Sequence, residues 1–153
     1  MIVVAVTLYD FVLWVHVTAV VVAFGTLFAY PVFLAVNSRA PIDRRAQLHR
    51  AQIAFSQRVT GPAIGVILLA GIYLATDAEL WDQAWVGISL LLLFVIAGLG
   101  STVLRKGEEG LESTAGAGDE AGYATALATV RRWTLITLLL IVLVIFLMTT
   151  KPF

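Results

Sequence analysis

Residues Leu138–Met148 read LLLIVLVIFLM, an unbroken apolar run. A membrane-spanning strand is about 10 residues long and alternates apolar with polar positions. This run is apolar on every side, as a helix with no face toward water is. It lies within Trp133–Thr150, 18 residues without Asp, Glu, Lys or Arg, and three other such stretches exist: Phe11–Ser38 (28 residues), Val59–Thr76 (18) and Gln83–Leu104 (22). At about 1.5 Å per residue, roughly 20 apolar residues cross a hydrocarbon layer about 30 Å thick. The expectation is an all-α, four-helix transmembrane bundle. One integral membrane domain would cover 1–153, with spans at about 11–36, 59–76, 84–104 and 133–150.

Composition agrees. The 153 residues are 60% hydrophobic and 13% charged, with mean hydropathy +0.95, where soluble domains average about 45–50% and about 25%. That excludes a water-exposed fold, a disordered chain and a nucleic-acid binder, and makes the lipid bilayer the first partner. With no cysteine there is no disulfide, thiolate metal site or cysteine nucleophile.

Orientation follows from the loops, because Arg and Lys collect on the cytoplasmic side of short connections. Arg39, Arg44, Arg45, Arg50 and Arg58 separate spans one and two; Arg105, Lys106, Arg131 and Arg132 separate spans three and four. The connection between spans two and three carries Asp77, Glu79 and Asp82 and no basic residue. Loops 37–58 and 105–132 are therefore expected in the cytoplasm, both termini outside, and the chain in the inner membrane of a bacterial cell. Tyr9, Trp14, Tyr73, Trp81 and Trp85 would mark the outer boundary and Trp133 the inner one. The formal charge of zero is then a cancellation across the bilayer. Span one reads as a retained anchor, since no basic residue precedes Phe11 and a stop-transfer-like arginine cluster follows it.

In the first cytoplasmic connection a helix is expected from about Pro41. Leu48, Gln52, Phe55 and Val59 would form its apolar face at headgroup level, before a turn into span two near Gly61-Pro62. Gly107, Gly110, Gly116 and Gly118 make the second connection read as a flexible linker. Asp119 would cap a fourth helix that starts about three turns before the membrane, with Tyr123, Leu127 and Val130 on one face.

Intramembrane ionisable residues are functional candidates by default, and His16 is the one here. It shares a stripe with Ala19, Ala23, Thr26 and Tyr30 on span one, a small and polar face suited to a helix contact. Thr18, Gly25 and Ala29 give a second small face. By depth, Tyr73 and Ser89 are the expected polar partners of His16. A satisfied contact histidine, an axial haem ligand and a proton-relay or transport group all remain open. A bis-histidine haem would need a second intramembrane histidine, and His49 falls in the cytoplasmic loop. Met148 reads as lipid-facing packing, and Met1 and Met148 are too few for a copper path. No metal site is expected. Gly61 and Gly65 form a GxxxG spacing that suits packing within the bundle and, secondarily, a homo-oligomer through small-residue faces. Span four, with almost no small residues, is expected at the periphery.

FVLWVHVTAVVVAFGTLFAYPVF in span one, the arginine-rich connection and RVTGPAIGVILLAGIYLA in span two together resemble an uncharacterised family of small bacterial four-helix membrane proteins, a domain of unknown function. The layout is similar to that of the copper-resistance D proteins and the HemJ-type protoporphyrinogen oxidases, which place a histidine in an early span. That resemblance implies haem b as cofactor, His16 as its ligand, and a haem-dependent porphyrinogen oxidoreductase. Only His16 carries over, because Gln83–Leu104 and Trp133–Thr150 hold no basic residue. The reading from the residues is a small multi-pass inner-membrane protein whose biochemical role the sequence leaves open, with no enzymatic activity indicated by the residues themselves. Its functional alternatives are a haem-associated membrane subunit, the HemJ-like oxidoreductase, and a small transporter or channel-type component.

Overall fold

The computed structural model describes residues 6–152 and contains no strand among them; Met1 lies outside that range. Six α-helices account for most of the described residues: α1 (Leu8–Asn37), α2 (Ile42–Phe55), α3 (Gly61–Asp77), α4 (Ala84–Leu99), α5 (Arg105–Gly116) and α6 (Glu120–Thr150). Single π turns, Ser56–Thr60 and Gly100–Leu104, fuse α2 to α3 and α4 to α5. The result is four continuous rods, each long and apolar enough to cross a membrane. Rods of 30 to 36 residues are about 45–54 Å long, so each outreaches the hydrocarbon layer. The α2, α5 and α6 segments extend together at the arginine-rich end.

Local chemistry sets the ends. Thr7 and Asp10 form a reciprocal capping box on α1, and Asp119 accepts the Gly122 N–H to start α6 where expected. The first π turn meets a proline: Pro62 has no N–H and its ring crowds the carbonyl four residues back. Widening the turn so that Gly61 N–H reaches Ser56 O relieves that clash. In the second, the hydroxyls of Ser101 and Thr102 take the Gly98 carbonyl, a back-bonding that loosens a helix.

Packing divides into three buried clusters. Mid-bundle, Ala23, Phe24, Ile67, Leu93, Ile96 and Ile141 meet. At the basic end Leu34, Leu111, Tyr123, Leu127 and Val130 pack together, and at the acidic end Ala75, Trp85 and Val86. Outside these, Val21, Leu69, Leu91 and Leu139 are all more than half exposed. Such an apolar surface is compatible with a hydrocarbon surround.

Four expectations are corrected. The second connection is no linker: α5 continues α4 as helix and buries Glu108, Leu111 and Ala115, because one-sided packing on α2 and α6 outweighs the helix cost of its glycines, about 1 kcal/mol each. The chain does not turn at Gly61-Pro62, since α2 runs on into α3. Leu48 and Phe55 lie on the exposed side of α2 while His49 is its buried residue. Span four is not peripheral, as α6 packs against α1, α4 and α5 and buries Thr137, Ile141, Val144 and Leu147; a long apolar helix needs no small residues to be embedded.

Candidate functional site

At the basic end four helices each contribute one polar side chain to a buried cluster. His49 (α2) is completely buried, and Glu108 (α5), Tyr123 (α6) and Tyr30 (α1) nearly so. His49 Nδ1 lies 2.8 Å from Glu108 Oε2, and His49 Nε2 lies 2.9 Å from the Tyr123 hydroxyl. The Tyr30 hydroxyl bonds the other carboxyl oxygen, Glu108 Oε1. Every polar atom of the chain Tyr30–Glu108–His49–Tyr123 thus has a partner. The nearby cations are engaged elsewhere. Arg45 stacks 4.8 Å over the Tyr123 ring and bonds Ala40 O and Glu120; Arg50 pairs with Glu112 and Arg105 with Glu109.

Burial therefore favours neutral forms. It pushes the Glu108 carboxyl up to about 8. Burial, and then the positive charge of Arg45, pushes His49 down to about 4 against a smaller opposing effect of Glu112. A neutral carboxyl–imidazole pair keeps its hydrogen bond without placing two charges in a dry interior.

Tyr30 and Glu108 also line a cavity of about 470 Å³ that runs along both π turns. Its wall is mixed, with Thr26, Gln52, Thr60 and Ser101 among aliphatic residues. Thr60 is 4% exposed, and its Oγ1 has no hydrogen-bond partner.

A second cavity, of about 380 Å³, opens at the acidic end and is lined by His16, Ser89, Trp81, Trp85 and Met148. His16 Nδ1 and Ser89 Oγ are both buried and unpartnered. The imidazole leans on α3 at Gly71, where an added Cβ would sit 3.2 Å from Cε1. The two cavities are lined by neighbouring turns of the same three helices, α1, α3 and α4. Phe24, Ile67 and Leu93 line the acidic-end cavity, and Leu27, Ile64 and Ile96, each three residues away, line the other. Three residues amount to about 4.5 Å of helix.

The structure thus brings His16 and Ser89 to one cavity but places Tyr73 elsewhere, its hydroxyl donating to Asp77. Ala19 and Ala23 are buried in the bundle, whereas Gly25 faces open space. Gly61 and Gly65 have no close side-chain neighbour; the glycines in tight contact are Gly71, Gly107 and Gly122. Met148 is half-buried against the core. For haem, a histidine–methionine donor set is one that iron accepts, and His16 and Met148 share a cavity. His49 is unavailable, with both ring nitrogens bonded. No group of three or more His, Cys, Asp or Glu suited to a metal occurs among the described residues. Sequence reasoning named Tyr30 and Tyr123 on their helix faces but missed Glu108 and its pairing with His49. The available clue was Glu108, Leu111 and Ala115 at helical spacing inside a glycine-rich stretch.

Four apolar rods carrying cavities between them define a four-helix integral membrane protein. Residues 10–152 match the family model described as predicted integral membrane protein (DUF2269), and the chain belongs to that family. No curated protein matches the chain, and no solved structure does.

Proposed function

We propose that the chain is a small transporter or channel-type component of the cell inner membrane, with loops 37–58 and 105–132 on the cytoplasmic side. The observation that carries this reading is the pair of cavities lined by neighbouring turns of α1, α3 and α4, with Phe24, Ile67 and Leu93 on one and Leu27, Ile64 and Ile96 on the other. Each carries buried polar atoms without partners, Thr60 Oγ1 in one and His16 Nδ1 with Ser89 Oγ in the other. A bundle built only to be stable would have filled or satisfied these positions. Nine of the ten basic residues lie in the two loops at one end, which supports the orientation.

The absence of cysteine makes the test direct. Thr26→Cys and Ser101→Cys should react with a membrane-impermeant thiol reagent from the cytoplasmic side, and His16→Cys from the outer side. Uniform protection of all three would sink the proposal, and reversed sidedness would overturn the orientation.

A second reading, a haem-associated membrane subunit, draws on His16 and Met148 lining one cavity. Lys151 also lines it and would complement a propionate. Bound haem b would supply one-electron chemistry to a HemJ-like porphyrinogen oxidoreductase. Protein extracted from membranes should then have a Soret band that His16→Ala abolishes; a colourless preparation from haem-replete cells excludes this reading.

A further inference from the structure

We propose that Glu108 is a proton-binding carboxyl of the basic-end cavity, held by His49 and Tyr123 and gated by the hydroxyl of Tyr30. This rests on the transport reading for its role, with the proton as the coupled or carried ion.

The geometry lets one proton come and go while each oxygen and nitrogen of the cluster keeps a hydrogen-bond partner. In both states His49 is the neutral tautomer that donates Nδ1–H to Glu108 Oε2 and accepts the Tyr123 O–H at Nε2, an assignment made from the bonding pattern. With the carboxyl protonated, Glu108 Oε1–H donates to the Tyr30 oxygen. When the proton leaves to the cavity, the Tyr30 hydroxyl turns and donates to the carboxylate at Oε1. One O–H bond of Glu108 breaks, the proton passes to water entering the cavity to form hydronium, and the net change at the site is one negative charge. His49 and Tyr123 do not change and act as positioning residues.

Three further observations support exchange at this point. Tyr30 and Glu108 are the two members of the cluster that line the cavity. Thr60 Oγ1, buried and unpartnered on the same cavity, offers a polar foothold for water or solute beside them. No cation locks the carboxylate. On α2, Arg45 and Arg50 pair with Glu120 and Glu112; on α5, Arg105 pairs with Glu109. From α6, Tyr123 connects to Glu108 through His49, with Glu120 and Arg131 near the Tyr123 hydroxyl, and α1 presents Tyr30. A carboxyl meant only to tie helices together would be expected to keep a guanidinium partner.

The test is infrared titration of the full-length protein in lipid nanodiscs. The carboxylic C=O band of a buried, protonated carboxyl should be present at about pH 6 and lost by about pH 10, above the range of ordinary carboxylates. Glu108→Gln should remove it, and Tyr30→Phe should shift its midpoint. No Glu108-dependent band at any pH near neutral overturns the proposal. Should Glu108→Gln fail to fold, glutamate-selective 13C NMR of the unaltered chain decides. One glutamate should titrate above the others, and normal titration of all of them overturns the proposal. Cysteine labelling and this titration fail separately. Protected cysteines remove the transport role and leave the proton site, whereas an ionised Glu108 removes the site and leaves the cavities.

Discussion

A Cβ built on Gly107 would come within 2.5 Å of Val130 Cγ2, so α5 rests on α6 at a point where only hydrogen fits. Gly107→Ala should therefore destabilise the bundle by about 1–3 kcal/mol through overpacking. Gly110, one turn away in open space, is the control, and Gly110→Ala should stabilise by about 0.5–1 kcal/mol through helix propensity. Thermal unfolding in detergent separates the two, and equal effects would contradict this account of the contact.

Tyr123→Phe removes the hydroxyl bonded to His49 Nε2 and leaves a buried ring nitrogen unpaired. The expected cost is about 1–3 kcal/mol, measurable by reversible unfolding in mixed micelles. No loss of stability would mean that the ring nitrogen finds another partner.

Stability should depend on pH through the same cluster. Glu108, raised by burial to about 8, contributes stability fully present below about 4.5, its ordinary value, and lost as pH rises toward 8. His49, lowered by burial to about 4, contributes stability present above about 6.5 and lost as pH falls toward 4. The two oppose one another between about 4.5 and 6.5, and Glu108 alone acts above. Unfolding measured from pH 6.5 to 8 should show stability falling, and Glu108→Gln should flatten that slope.

Ser89→Ala should be neutral or stabilising in the protein without ligand, because the hydroxyl it removes is buried and unpaired. Gly71→Ala should instead press on the His16 ring and alter the acidic-end cavity. A destabilised Ser89→Ala in a unfolding assay would show that the hydroxyl has a partner, a water or ligand, in the working protein.

The four spans were legible because a membrane helix must be apolar over its whole crossing, and Leu138–Met148 meets that condition without ambiguity. Asp119 as cap and Tyr123, Leu127 and Val130 as one buried face were also legible, since capping and helical spacing are local rules. Glu108 was not. Its stretch, RKGEEGLESTAG, has the composition of a loop, and only packing against α2 and α6 makes it helix. His49 was passed over for a similar reason: the arginines around it mark the aqueous end of the chain, and nothing local says that one face there turns inward onto α5. Gly71 and Gly107, two glycines pressed against side chains of other helices, belong to no recognisable spacing motif, because close approach is set by the facing helix.

The two π turns have a consequence for chain length. Each closes with an N–H that reaches back five residues, Gly61 to Ser56 and Arg105 to Gly100, where an α-helix reaches back four. Each therefore holds one residue more than a regular helix needs between the membrane core and the basic end. Removing one residue from 56–60 or 100–104 would let the turn relax to α geometry with His49 and Glu108 still facing each other. A deletion elsewhere in either rod would rotate everything beyond it by about 100°. Within the rods, a one-residue deletion is thus accommodated at these two turns.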